Sequence, residues 1–173
     1  MGSNGIKHVR VDERLIHGQV ATMWTNTIKA TRIMIVDDAV VKNDMEKVAL
    51  KTAVPAGVKL SILTVKGAAN NINSDKYAGQ QVFLIVKSPH ALRGLVDAGV
   101  ELPQINVGNM STKAGSRQIK KSVSVTDENL EDFDYLLQKG IKITAQMVPS
   151  EDAVEFANLL KKLSYKKGEL QWI

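Results

Sequence analysis

Residues 82–86 read Val82-Phe83-Leu84-Ile85-Val86, an apolar run with no polar position in it. A strand with one wet face alternates polar and apolar side chains, so an unbroken run means burial on both faces, the condition of a parallel sheet covered by helices. Working outward, short β-branched runs recur at His8-Val9-Arg10-Val11, 32–36, 59–63, Gln104-Ile105-Asn106-Val107, Ser122-Val123-Ser124-Val125 and Ile141-Lys142-Ile143-Thr144. Each reads as a strand.

The spacing predicts helices between them. Gly18 to Ala30 follows the first strand, and Asn43 to Val54 follows the second, with Asn43 as N-cap and Met45, Val48, Ala49 and Thr52 along one face. Ser88-Pro89 supplies a cap and a first-turn proline for a helix through Asp97, ended by Gly99. Thr126 caps a helix carrying Leu130, Phe133, Leu136 and Leu137 and ending at Gly140. Ser150 caps Glu151 to Leu163, with Val154, Ala157, Leu160 and Leu163 facing inward. Gly108 to Arg117 breaks the rhythm, and a β-hairpin or irregular crossover is expected there. The alternation defines an α/β fold: a doubly wound, mostly parallel sheet of about seven strands with helices on both faces. No repeat or proline-rich linker divides the chain, so a single domain over residues 1–173 is expected, with 1–5 a flexible or vector-derived lead-in.

Composition removes several classes of function. At 173 residues and 44% hydrophobic the chain is ordinary globular protein. No segment approaches the roughly 18 apolar residues of a membrane span, and Met1 to Gly5 lacks the apolar core of a signal peptide. A cytoplasmic protein is expected. The absence of cysteine excludes disulfides, thiolate metal sites and cysteine nucleophiles. The net charge of +5 is spread along the chain, densest at Lys161-Lys162 and Lys166-Lys167. With three Phe, three Tyr and two Trp, and no interleaving of basic and aromatic residues, nucleic-acid binding is not expected. A solvated basic face or an acidic protein partner accounts for the charge better.

The chemistry concentrates in Arg10-Val11-Asp12-Glu13-Arg14-Leu15-Ile16-His17-Gly18-Gln19-Val20. Ligands of an open α/β sheet bind beyond the carboxyl ends of its strands, and this stretch is such a strand-to-helix loop. His17 stands at a helix N-terminus, where free amide N–H groups favour an anion. Arg10 and Arg14 bring guanidinium forks suited to phosphate oxygens, and Asp12 or Glu13 can fix an imidazole tautomer. These residues fit reversible phosphohistidine chemistry. From the residues alone, a structural, hydrogen-bonded His17 weighs evenly against a nucleophilic one. A metal role is weaker, because His8 and His90 have no ligand spacing with His17.

The run from Arg10 to Val20 resembles the active-site signature of the IIB subunits of the mannose/fructose/sorbose family of the bacterial phosphoenolpyruvate-dependent sugar phosphotransferase system. Ile35-Val36-Asp37-Asp38, residues 105–110 and residues 121–125 look like further landmarks of that family. The resemblance implies that His17 accepts a phosphoryl group from a IIA phosphohistidine and passes it to a sugar held by the membrane subunits IIC and IID, with no cofactor and no metal. It implies that Arg10 and Arg14 stabilise the oxygens in transit, that Asp12 orients the ring, and that Gly18 and Gln19 offer backbone N–H groups. Asp37, Asp38, Asn109 and Lys113 are candidate supporting residues, with helix capping the competing role for the two aspartates and solvation for Lys113 and Arg117. Ser111, Thr112 and Lys113 stand where many relatives carry histidine and arginine. The signature looks closest to the N-acetylgalactosamine or galactosamine branch. The location implied is cytoplasmic, at the periphery of the membrane permease, with homo-oligomerisation left open. Met23 and Trp24 read as one edge and one core residue, and Trp172 has little context. The competing class is an anion- or nucleotide-binding regulatory module on the same scaffold, against which stands the lack of a Gly-rich phosphate loop.

Overall fold

The structure, a computed structural model, describes residues 4–166. Lys167 and Trp172, and the first three residues of the expected lead-in, lie outside them. The chain runs β1 (Ile6–Asp12), α1 (Gly18–Ile28), β2 (Arg32–Val36), α2 (Asp44–Ala53), β3 (Lys59–Leu63), α3 (Val65–Asn73), β4 (Val82–Val86), α4 (Pro89–Asp97), β5 (Ile105–Asn109), β6 (Arg117–Lys120), β7 (Val123–Val125), α5 (Asp127–Gln138), β8 (Ile143–Ala145), β9 (Val154–Glu155) and α6 (Phe156–Lys166).

β4 is buried at every position and lies between β2 and β1, pairing in parallel with both. That is the place its unbroken apolar run demands. The main sheet has seven strands in the order β3-β2-β4-β1-β5-β8-β9, parallel except for the last pair. From β1 the chain steps one way to β2 and β3, then returns to β4, β5 and β8. Right-handed crossovers therefore place α1 and α2 on one face and the later helices on the other. Two apolar clusters match. One holds Ala21, Trp24, Leu50 and Phe83, the other Ala68, Leu92, Phe133 and Phe156. Each large side chain so buried contributes about 1.5–3 kcal/mol.

Several expectations are corrected. The strand at 122–125 belongs to a separate antiparallel hairpin with β6, reached by the polar loop after β5. The seventh strand of the main sheet is instead β9, within the expected last helix, which begins at Phe156 and buries Phe156, Leu159 and Leu163. In α2, Asn43 caps by accepting from Glu46 N, but the face expected to pack points outward: Met45 is 85% and Val48 61% exposed, while Leu50 is buried. Ser88 occupies the N-cap position of α4 without a side-chain capping bond, whereas Thr126 and Asn129 form a full capping box on α5. Asn4 and Gly5 are part of the fold rather than a lead-in: Asn4 Nδ2 donates to Glu101 O at 3.0 Å and Val82 N donates to Gly5 O at 2.8 Å.

Candidate active site

β1 leaves the sheet toward α1 on one face, and its neighbour β5 leaves in the opposite sense, so the crevice between their carboxyl ends is the switch point of the sheet. The loop from Asp12 to His17 sits there. Alternation along β1 sends Val9 and Val11 into one core and turns His8, Arg10 and Asp12 to the α1 face. An arginine and an aspartate two residues apart thus enter the interior side by side.

Arg10 is 1% exposed and each of its nitrogens is engaged. Nε and Nη2 donate to Asp12 Oδ2 at 3.3 and 3.1 Å, Nη1 to Asn106 Oδ1 and to Gln146 O, and Nη2 to Met147 O. Asp12 also binds Arg14: Oδ1 accepts from Arg14 N at 3.0 Å and Nε at 2.9 Å, and Oδ2 accepts from Nη2 at 2.8 Å. Burial pulls the Arg10 guanidinium below its ordinary value against the stabilising charge of Asp12, while the Asp12 hydrogen bonds hold Arg14 above its own. The array is two cations on one buried anion. It leaves net positive charge facing the loop, with Arg14 28% exposed at its side chain and Nη1 without a partner among the described residues.

This corrects two expectations. Asp12 does not bond to the imidazole, because its oxygens are filled by the arginines. Arg10 lies beneath the surface and presents none of itself to a ligand in this conformation. Arg14 is the arginine that reaches out.

His17 occupies the N-cap position of α1 with extended backbone (φ −123°, ψ 99°), its side chain exposed and making no capping bond. Gly18 follows at φ +47° with open space where a Cβ would stand, and Gln19 is exposed beside it. The N–H groups of this first turn have no helical partner. Leu15 holds φ +61° while buried at 3%, so packing against the α1 and α2 side sustains a turn that a leucine otherwise avoids.

The supporting residues divide. Lys113 Nζ pairs with Glu13 Oε2, and Ser111 Oγ donates to Glu13 Oε1 at 2.6 Å, tying the loop after β5 onto the signature loop. Lys113 is therefore engaged and only half exposed. Burial alone would raise the Glu13 carboxyl, but the bonds from Lys113 and Ser111 outweigh it and hold it low. Asn109 O accepts from Glu13 N at 3.1 Å, in register with Asp12. Asp37 Oδ1 accepts from Ala39 N and Val40 N, and Asp38 Oδ1 from Val65 N, so both aspartates cap neighbouring backbone and neither bonds Arg14. Trp24 is a core residue as expected, 5% exposed, with Nε1 donating to Met147 O at 2.9 Å.

Sequence reading missed Gly108, Gln146, Met147 and Glu151. Gly108 has a steric reason: a Cβ there would stand 2.0 Å from Arg10 Nη2 and 2.2 Å from its Cζ. Gly108→Ala is expected to lose about 1–3 kcal/mol by overpacking, read as a lowered urea midpoint; an unchanged midpoint would show that Arg10 has room to move.

His8 stacks on Trp24 at 4.6 Å between centroids, meets Phe83 edge-on, and keeps Nε2 buried without a partner among the described residues. Burial, aided by the Arg10 charge, lowers its pKa from 6.5 to about 4. The unfolded chain then takes up a proton near pH 6.5 that the folded chain refuses until about 4. Stability is complete above pH 6.5 and falls as the pH drops through that interval. His8→Phe keeps the stack and removes the titration, so melting curves should show the variant overtaking the wild type by pH 5; parallel curves would discard this account.

Fold and site together define a class: an α/β domain offering an exposed histidine at a helix N-terminus, on the same strand-to-helix loop as a locked arginine–aspartate array. Residues 6–171 match the family of PTS system sorbose subfamily IIB components, and the chain belongs to that family. It is 40% identical over 146 residues to a sorbose-specific EIIB component of Lacticaseibacillus casei, covering 83% of this chain and 89% of that one. It is 34% identical over 154 residues to the mannose-specific EIIAB component of Escherichia coli K12, covering 89% of this chain and 48% of that protein. The IIBSor domain of the sorbose permease from Klebsiella pneumoniae superposes with a TM-score of 0.87 at 30% identity, over 91% of this chain and 96% of that one. The chain is thus a phosphotransferase component: IIB components accept a phosphoryl group from IIA and transfer it to sugar, working with membrane IIC and IID partners.

Proposed function

We propose that His17 is the group that carries the phosphoryl. One ring nitrogen attacks the phosphorus as its bond to the IIA histidine breaks; the same N–P bond later breaks as the sugar hydroxyl attacks. Arg14 Nη1 and the backbone N–H groups of Gly18 and Gln19 receive the oxygens in transit. Asp12 holds Arg14 in place, and Arg10 holds Asp12. The described residues are read as a single domain, and the IIAB relative, of which this chain matches about half, supports a IIA partner.

The observation that carries this reading is the exposure of His17 on an open helix N-terminus, with the free edge of Arg14 belonging to the same short loop. A protein partner reaches such a group; a nucleotide needs a cleft. Among the described residues a cavity lies elsewhere, lined by Leu130, Asp134 and Leu160 between α5 and α6. The regulatory-module reading is accordingly not favoured. No helix among the described residues is long and apolar enough to cross a membrane, consistent with a cytoplasmic carrier at the periphery of IIC and IID, which hold the sugar.

Incubation with phosphoenolpyruvate, the general phosphotransferase components and a family IIA should add one acid-labile phosphoryl group, located on His17 by fragmentation mass spectrometry. No gain with a demonstrably active IIA, or a gain mapped to His8 or His90, would overturn the assignment. Adding membranes that contain IIC and IID then tests N-acetylgalactosamine against sorbose as acceptor.

A further inference from the structure

Between β8 and β9 the chain forms a strap, residues 146–151, lying against the underside of the arginine array. Its first two carbonyls gather donors from three distant parts of the chain. Gln146 O accepts from Arg10 Nη1 at 3.1 Å and Asn106 Nδ2 at 3.0 Å; Met147 O accepts from Arg10 Nη2 at 3.0 Å and Trp24 Nε1 at 2.9 Å. The Met147 sulfur lies 3.5 Å from Arg14 Nη2 and 3.7 Å from Arg10 Nη2. The strap therefore touches both cations.

Glu151 fastens it. Its Oε1 accepts from Met147 N at 2.6 Å, its backbone O accepts from Gln146 Nε2 at 2.7 Å, and its N donates to Val148 O at 3.0 Å. The other carboxylate oxygen accepts from Lys120 Nζ at 2.7 Å, on the β6–β7 hairpin. The hydrogen bonds from Lys120 and Met147 hold this carboxyl below the usual range. Glu151 is not a cap for the helix that follows, because α6 begins at Phe156 and has no acid in its first turn. Its bonds go to the strap and to the hairpin.

We propose that Glu151 is a positioning residue for phosphoryl transfer: through Met147 it sets the orientation of the Arg10–Asp12–Arg14 array beside His17, and through Lys120 it links that array to the β6–β7 hairpin. The kinetic part rests on the reading of His17 and Arg14 given above; the structural part does not. A guanidinium that carries oxygens in transit must be held to well under an ångström, and among the described residues Arg14 is anchored by Asp12 and the strap alone. Loosening the strap leaves Asp12 in place and frees the other side of both arginines.

The test uses the full chain, labelled with 15N, as wild type, Glu151→Ala, Glu151→Gln and Lys120→Met. In Glu151→Ala the Nε–H signals of Arg10 and Arg14 and the Nε1–H of Trp24 should lose hydrogen-exchange protection about tenfold, while backbone amides of β1, β4 and β5 keep theirs. Glu151→Gln, which retains an acceptor for Met147 N, should hold most of the protection, and Lys120→Met should fall between. Single-turnover transfer from phosphorylated IIA should slow about tenfold at saturation in Glu151→Ala, with the half-saturating IIA concentration within about twofold of wild type. Unchanged side-chain protection in Glu151→Ala overturns the proposal. So does lost protection with an unchanged saturating rate, which would make the strap a matter of stability alone. A wild type that takes up no phosphoryl group from an active IIA removes the His17 reading instead, and the exchange measurement still decides whether Glu151 orders the array.

Discussion

His17→Ala is expected to take up no acid-labile phosphoryl group from IIA while unfolding within about 0.5 kcal/mol of the wild type. The two halves of this expectation have separate causes. Transfer needs a nitrogen that can form and break a bond to phosphorus. The other two histidines are placed differently: His8 is stacked against Trp24 at 4.6 Å, and His90 on α4 has the Asp132 carboxylate 3.7 Å from its Nδ1, an anion where phosphoryl oxygens would have to come. Stability is indifferent because the imidazole is exposed and makes no hydrogen bond to the first turn of α1, so its removal takes away neither packing nor a cap. Intact mass after incubation with the phosphotransferase components, and urea unfolding of the same samples, read both quantities. Phosphorylation retained in this variant would remove His17 as the carrier. A loss of several kcal/mol would mean that the loop depends on the ring in a way its geometry does not show.

Asp12→Ala should have the largest effect on stability, a loss of about 3–5 kcal/mol, because it leaves the Arg10 guanidinium buried without its counter-ion. Arg10 is 1% exposed and cannot turn to water without disrupting Asn106, Met147 and Trp24. Arg14 loses its three bonds to the carboxylate at the same time. At an m value of about 2 kcal/mol/M the urea midpoint falls by about 2 M, and phosphoryl acceptance falls with the misplaced Arg14. The double variant Arg10→Met, Asp12→Ala should recover part of the stability but not the transfer, since replacing both members of a buried pair is far milder than orphaning one. A single-variant loss under about 1 kcal/mol would show that water reaches Arg10, and the array would then be a surface cluster rather than an interior one.

The sequence by itself determined the layers of the fold. Val82 to Val86 marked a strand buried on both faces, and Asn43, Thr126 and Gly140 set helix ends through bonds and backbone angles that span four residues or fewer. It also placed His17 at the head of α1, because a strand, a charged turn and a helix start follow one another within the loop. Local pattern ran out where partners are distant. Nothing near Asn4 announced its bond to Glu101, and nothing in 151–155 announced that pairing with β8 would displace the start of α6. The outward face of α2 was misjudged because Met45, Val48 and Ala49 have helical spacing whichever way the helix is turned; only Leu50 against the α1-side core settles the rotation.

Tertiary structure alone decided the site's division of labour. From the loop, Arg10 and Arg14 are equivalent cations and Asp12 is free to orient the imidazole. In the fold, Arg10 bonds Asn106 across 96 residues and Met147 across 137, and Trp24 meets the same carbonyl across 123. Those long-range bonds draw Arg10 beneath the sheet edge, take Asp12 with it, and leave Arg14 outside. A charge near a loop can face water or protein, and which it faces depends on whether enough fixed acceptors converge on it to replace its hydration.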